Sequence, residues 1–188
     1  AALIFSFVIV FLPPRMRRAL AIAYLYCRML DTYEDLLPTL PQKESALKRF
    51  ISRFDNPGDL KSAPPLDPAL TADAQESTHV LLVNRAALVD HHFDQLASSQ
   101  QAAICRLVRR MGEGMIWASR IFKKQDGVLQ TPAQLSRYCW HVLGTPILFA
   151  DEMQRLDQGL SPQIGEDRLR QCAVVGEVIQ LANITRDL

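Results

Sequence analysis

The chain has 188 residues, of which 48% are hydrophobic and 22% charged, a globular composition that excludes collagen-like, mucin-like and strongly disordered proteins. It carries 21 Lys plus Arg against 20 Asp plus Glu, for a formal net charge of +1. No excess of positive charge therefore attracts nucleic acid, which we do not expect as a partner. The cysteines Cys27, Cys105, Cys139 and Cys172 lie far apart; without a CxxC spacing they favour a reducing cytosol.

The first 12 residues form an apolar run that ends at Pro13 and Pro14. A membrane-spanning helix needs about 20 apolar residues, and a signal peptide carries its positive charges before the apolar stretch, whereas here they follow it. We therefore predict a buried leading segment in a cytoplasmic protein. Contact with a membrane, or a misplaced chain start, is the alternative.

Residues 15 to 37 predict the first helix, because apolar side chains recur there with helical period. These side chains are Ile22, Leu25, Met29, Tyr33 and Leu36. Six of the 11 prolines then fall between residues 38 and 68. Within this part, residues 55 to 68 predict a loop.

Helices at residues 72 to 97 and 98 to 125 follow, in a stretch without proline. The next helix starts at Thr131, a good N-cap, and carries Pro146, so we expect a kink near Gly144. Residues 165 to 188 predict the last helix. Since strand alternation and long linkers are missing from the sequence, we predict one all-α bundle that forms a single domain over residues 1 to 188.

The first helix also presents a polar face. Tyr24, Arg28, Asp31 and Asp35 recur at i, i+4, i+7 and i+11, and Glu34 adds a third carboxylate to the same turn. Like charges at this spacing destabilise a helix. They indicate either a solvated acidic surface with Arg28 as its ion-pair partner or a Mg²⁺ site that also holds substrate phosphates.

The last helix presents a second face of oxygen ligands, with Gln180, Asn183 and Asp187 at i, i+3 and i+7 and Arg186 beside them. Asparagine is unfavourable inside a helix, so Asn183 needs a tertiary partner or a ligand role. Val174, Val178 and Leu181 form a separate apolar stripe.

Four stretches, in order along the chain, resemble motifs of the squalene and phytoene synthases, the head-to-head trans-prenyltransferases. They are LPPRMRRALAIAYLYCRMLDTYEDL, which resembles the aspartate-rich helix, RRMGEGM at 109 to 115, RYCWHVLG at 137 to 144, and QLANITRDL at the end. The order and spacing also match that family. DTYED and RRMGEGM lean toward the squalene branch.

The resemblance implies a role for each matching residue. Asp31, Asp35, Asn183 and Asp187 would bind Mg²⁺. Tyr24, Arg28 and Arg186 would contact substrate diphosphate, and Arg28 and Arg186 would share the catalytic work with Tyr138. The implied fold is the helical bundle of trans-isoprenyl diphosphate synthases, truncated at its C-terminus, because the family's second aspartate motif continues beyond Asp187.

The implied reaction joins two molecules of an allylic diphosphate, farnesyl diphosphate, into squalene or a close relative through a cyclopropyl intermediate. NADPH would be needed for squalene itself, and the apolar product favours peripheral contact with a membrane. The alternatives are a phytoene or dehydrosqualene synthase, or a non-catalytic assembly factor of the same fold. The oligomeric state stays open.

Two positions depart from the family pattern. Phe5 stands where an arginine usually precedes the Ser-Phe pair, which puts one phosphate contact in doubt. Ile147, with Pro146 before it, replaces a second glycine after Gly144. We therefore expect a narrower pocket wall near the kink and a different choice of chain length.

Other residues have weaker claims to function. Asp90, His91, His92 and Asp94 are metal-ligand types, but adjacent histidines on a helix point in different directions, and a polar helix end is favoured. His141 is a lone histidine on a mostly apolar helix, a position that favours a packing role over a catalytic one.

Overall fold

A computed structural model describes residues 13–58, 60–161 and 163–186. The predicted leading segment 1–12 and Asp187 lie outside the described residues. Over these ranges the chain forms α-helices and short helical turns without any strand, which confirms the all-α prediction. The helices are α1 (Pro14–Leu36), α2 (Leu40–Ser52), α3 (Ala74–Asn84), α4 (Ala86–Phe93), α5 (Ser98–Lys124), α6 (Pro132–Cys139), α7 (Thr145–Asp157) and α8 (Glu166–Arg186).

Helix α1 matches the predicted first helix and runs through the centre of the bundle. Proline occupies its first turn, where a missing N–H costs nothing. It ends at Leu36, and the C-cap residue Leu37 has the extended backbone that suits a residue before proline. Tyr26 and Tyr33 are fully buried on α1, and Tyr26 packs edge-to-face on Phe54 and Phe93 with ring centroids 5.0 and 5.8 Å apart.

Helix α2 is a helix that the sequence analysis did not predict, because it lies in the proline-rich part of the chain. Its N-cap is Thr39, whose side chain accepts a hydrogen bond from the Gln42 backbone N–H. Pro41 stands in the first turn, where proline is compatible with a helix. The predicted loop follows, and the Tyr33 hydroxyl donates to the Pro64 carbonyl at 2.6 Å to hold it against α1.

The predicted helix at 72–97 is in fact two helices, since the chain breaks at Arg85 between α3 and α4 and the second helix ends at Phe93. Asp90 does not contribute to a metal cluster there. It accepts hydrogen bonds from the Arg53 guanidinium at 2.5 Å and from the Tyr26 hydroxyl at 2.8 Å. Among the described residues, no group of three or more His, Cys, Asp or Glu could hold a metal ion by itself.

The predicted kink is present as a π-turn at Trp140–Gly144, between α6 and α7. Pro146 lacks the N–H that an unbroken α-helix would use, and the wider turn accommodates that loss. Thr131 caps α6 as predicted, accepting from the Gln134 N–H at 3.2 Å. Gly144 lies directly against α8, where a Cβ on Gly176 would come within 2.6 Å of the Gly144 nitrogen.

Candidate active site

A cavity of about 170 Å³ lies between α1, α5, the π-turn with α7, and α8. At one end its lining is polar, with Tyr24, Arg28 and Asp31 from α1 and Gln180 and Asn183 from α8. Elsewhere it is lined by aliphatic and aromatic side chains. The polar faces that the sequence placed on the first and last helices therefore meet at one site, although 149 residues separate Asp31 from Gln180 in the sequence.

Asp35, Arg186 and Asp187 are the other candidate ligands. Asp35 is exposed one turn beyond Asp31 and is not part of the cavity lining. Arg186 is the last residue of α8, three positions after Asn183. Asp187, the fourth candidate metal ligand, follows outside the described residues.

Arg28 pairs with Asp31 but keeps hydrogen-bonding capacity. Its guanidinium lies 3.4 Å from the Asp31 carboxylate, and its carbon atom Cζ lies 6.0 Å from the centroid of the Tyr24 ring. The Arg28 Nε is buried without a hydrogen-bond partner. A buried N–H without an acceptor is costly, and an anionic oxygen would satisfy it best.

The carboxylates of Asp31 and Glu34 on α1 are partly buried, and they repel each other and the exposed Asp35. Burial raises the pKa of Asp31 to about 6, against the opposing effect of Arg28, and Asp35 adds to the rise. Burial and the charges of Asp35 and Asp31 raise the pKa of Glu34 to about 7. Carboxylates forced together in this way are typical of a site that binds a hard cation such as Mg²⁺ through oxygen ligands.

Glu34 was noted in the sequence for its charge but was not assigned a role. In the structure its carboxylate accepts a 3.4 Å hydrogen bond from the Ser119 hydroxyl on α5. His79 of α3 was missed entirely. It lies on a helix that packs against α1, and its pKa is lowered by burial and by the Arg28 charge and raised by Asp35. No local sequence pattern could have placed it there.

Tyr138 lies on α6, just before the π-turn. Its ring packs edge-to-face on Phe122, with centroids 5.8 Å apart. Burial raises its pKa, and the negative charges of Glu34, Asp31 and Asp35 raise it further. Both effects favour the protonated form of the Tyr138 hydroxyl.

His141 is a packed residue in the π-turn, as its position in the sequence favoured. Its ring lies against Gly114 of α5, where a Cβ would clash with it, and 6.2 Å from the ring of Trp117. Burial and Arg137 lower the pKa of His141. Gly112 similarly makes room for Ile51. The glycines of the RRMGEGM stretch therefore permit close packing of neighbouring elements.

Comparison with solved structures identifies the class of fold. The chain superposes on the structure of TcSQS in complex with the ligand BPH1237 with a TM-score of 0.72 at 25% sequence identity. The match covers 97% of this chain and 49% of that one. The all-α architecture is thus the fold of squalene synthase.

Comparison with families and with individual proteins then places the chain more narrowly. Residues 4–188 match the family model for squalene/phytoene synthase, so the chain belongs to this family, as the four motifs indicated. It is 28% identical over 193 residues to the squalene synthase of Schizosaccharomyces pombe and 28% identical over 184 residues to that of Homo sapiens. The alignments cover 97% of this chain but only 38% and 40% of those proteins.

Membrane association was a prediction from the sequence. Across residues 13–58, 60–161 and 163–186, no helix combines the length and the apolar character that crossing a membrane would require.

Proposed function

We propose that this chain forms the catalytic helical part of a Mg²⁺-dependent prenyltransferase, which joins two molecules of farnesyl diphosphate head to head. The product would be squalene or a close relative, formed through a cyclopropyl diphosphate intermediate. The observation that most directly supports this proposal is the cavity, which combines Arg28, Asp31 and Asn183 at one end with an apolar lining elsewhere. Membership of the squalene/phytoene synthase family supports the proposal.

The residues at the polar end fit a divalent metal. Asp31 and Asp35 on α1, with Asn183 and Asp187 of the second motif, would hold Mg²⁺ through carboxylate and amide oxygens. The raised pKa values of Asp31 and Glu34 support this assignment, because a cation would relieve the repulsion among these neighbouring carboxylates. When bound, the metal supplies positive charge for the departing diphosphate.

The arginines would bind the diphosphate directly. Arg28 has a buried Nε that lacks an acceptor, and a phosphate oxygen would accept from it in a charge-assisted hydrogen bond. Arg186 is assigned the same role from the sequence motif, and Tyr24 lines the cavity beside Arg28. Fixed positive charge at the leaving group lowers the barrier to its departure without reorganisation of solvent.

Tyr138 would act through a protonated hydroxyl, since burial and the neighbouring carboxylates raise its pKa. The variant Tyr138→Phe keeps the ring and removes the hydroxyl. We expect about a hundredfold slower formation of the cyclopropyl intermediate, with the Kd for substrate little changed. An equal loss of affinity and rate in rapid-quench and binding experiments would assign Tyr138 to packing instead.

The apolar lining would keep water from the allylic carbocation, which water would otherwise capture as an alcohol. NADPH enters the proposal only as the hydride donor for squalene. Because such a product is insoluble in water, we also propose that the protein works in the cytoplasm and contacts membranes peripherally. Co-sedimentation with phospholipid vesicles during turnover would test that contact.

Product analysis distinguishes this function from its alternatives. The complete protein encoded by the gene would be incubated with farnesyl or geranylgeranyl diphosphate and Mg²⁺, with and without NADPH. We expect squalene from farnesyl diphosphate in the presence of NADPH. Dehydrosqualene from farnesyl diphosphate would indicate a dehydrosqualene synthase, and phytoene from geranylgeranyl diphosphate would indicate a phytoene synthase. No Mg²⁺-dependent release of diphosphate from either substrate would favour the assembly factor.

A further inference from the structure

The cavity has an apolar end opposite its polar one. Three buried side chains line it there: Leu20 of α1, Leu107 of α5 and Phe149 of α7. Leu20 precedes Asp31 by 11 residues on one continuous helix, which separates them by about 16 Å along the helix axis. The cavity thus runs beside α1 from the carboxylates to Leu20.

Helix α7 packs against α1 along this cavity. Phe149 of α7 shares the cavity wall with Leu20 of α1. Further along, Met153 lies beside Met16 near the beginning of α1. Residues later on α7 therefore lie near residues earlier on α1, farther from the polar end of the cavity.

A second groove of about 580 Å³ lies beyond this apolar end. Met16 and Met153 belong to its lining. Met16 and Leu20 are four residues apart on α1, and Phe149 and Met153 are four residues apart on α7. Residues at this spacing are neighbours on one face of a helix. Leu20 and Phe149 therefore form one layer facing the cavity, and Met16 and Met153 form a second layer facing the groove.

We propose that Phe149, packed in one layer with Leu20, is the residue that limits the length of the prenyl chain this cavity accepts. The inference rests on the proposed function, which it extends to substrate choice. Phe149 is 3% exposed and Leu20 is 4% exposed, so neither side chain can turn outward to solvent to lengthen the cavity. Replacing Phe149 with alanine removes six ring carbons, about the volume of one five-carbon isoprene unit.

The test compares binding of non-hydrolysable thiolodiphosphate analogues of farnesyl and geranylgeranyl diphosphate in the presence of Mg²⁺. The complete protein is used, and the quantity measured is the ratio of the two Kd values. For Phe149→Ala we expect a shift of at least about tenfold toward the longer analogue, since one hydrocarbon group in an apolar pocket discriminates on that scale. For Phe149→Leu, which keeps most of the buried volume, we expect a smaller shift in the same direction.

Met153→Ala is the matched control, because Met153 is equally buried on the same helix but belongs to the layer behind. Its ratio should stay within about twofold of the unmodified protein, since its side chain does not line the cavity. An unchanged ratio in both Phe149 variants, or an equal shift in Met153→Ala, would overturn the proposal. Failure of both analogues to bind the unmodified protein would instead reject the proposed function, and this inference with it.

Discussion

Helices α1 and α8 both supply candidate ligands to the same cavity, yet they are held in place very differently. On α1 the residues Tyr26, Met29, Leu30 and Tyr33 are fully buried. On α8 the predicted apolar stripe is exposed, with Val174 and Val178 about 60% exposed. Burial of apolar area is the main stabilising contribution to folding, so it fixes α1 much more firmly than α8.

A few specific contacts hold α8 instead. Gly176 lies directly against Gly144 of the π-turn. The Ser136 hydroxyl donates to the Glu177 carboxylate at 2.9 Å, and Arg168 donates to Asp151 at 2.5 and 2.9 Å. The position of Asn183 relative to Asp31 thus depends on close backbone packing of α8 on the π-turn.

The largest expected effect comes from the ligands on α1. Replacing Asp31 and Asp35 together with alanine in the complete protein should lower turnover of farnesyl diphosphate at least about a thousandfold, because the leaving diphosphate loses its neutralising cation. The melting temperature should not fall, since the change removes two crowded negative charges. Near-normal turnover in Mg²⁺ would contradict the metal assignment.

The opposite face of α1 allows the effect of packing to be measured separately. Asp90→Ala removes the acceptor for both Arg53 and Tyr26 and leaves an unpaired charge on Arg53, whose side chain is 1% exposed. We expect the free energy of unfolding to fall by about 3 kcal/mol. Denaturant titration would measure this, with Asp94→Ala, an exposed neighbour, as the control. A double variant with Arg53→Met should recover part of the loss, because it removes the unpaired charge.

A single added methyl group should be enough to disturb the position of helix α8. Gly176→Ala places a Cβ 2.6 Å from the Gly144 backbone nitrogen, which cannot turn aside as a side chain could. We expect α8 to shift and turnover to fall by about a hundredfold, as displacements near 1 Å do in active sites. Stability should change little, because alanine favours a helix over glycine by about 1 kcal/mol and offsets part of the strain.

The neighbouring exposed residue provides the control for that variant. Val175→Ala removes a larger side chain from the same turn and should leave turnover unchanged. A higher Mg²⁺ requirement in Gly176→Ala alone would show that the contact with the π-turn positions the ligands of α8. Equal behaviour of the two variants would show that α8 does not need it.

The sequence predicted the elements whose determinants are local. Thr131 and Pro132 mark the start of α6, and Pro146 predicted the interruption that the structure contains as a π-turn. Helix α2 was not predicted because it lies in the proline-rich part of the chain, although the first turn of a helix tolerates proline. The break at Arg85 carries neither glycine nor proline and has no local signal.

The candidate site was predicted as two separate helix faces, and nothing local showed how they meet. The contact of Gly176 with Gly144 joins residues 32 apart in sequence. The approach of His79 to Arg28 and the hydrogen bond from Ser119 to Glu34 likewise depend on tertiary packing. The motif resemblance assigned the two faces to one site before any geometry was known, but it did not predict that Phe149 would line the cavity.

The smallest expected effect is a pH dependence that again separates α1 from the rest of the bundle. Burial raises the pKa of Asp31 to about 6 and that of Glu34 to about 7. Between pH 4 and 7 the folded state therefore binds more protons than the unfolded chain, and stability falls as pH rises through this range. In EDTA, these two carboxylates should make the melting temperature drop by about 2–4 °C from pH 5 to pH 7.5. The drop should be smaller in the isosteric variant Asp31→Asn/Glu34→Gln.

Glu44 on α2 supplies the control of opposite sign. Hydrogen bonds from Arg120 and Lys48 lower the pKa of Glu44 to about 2, so its contribution to stability is complete above its ordinary pKa and is lost only as pH falls toward 2. Glu44→Gln should therefore lower the melting temperature equally at pH 5 and pH 7.5 without changing the slope between them. If the slope in EDTA is the same in all three proteins, the carboxylates of α1 are solvated and have ordinary pKa values, and the case for a cation between them is lost.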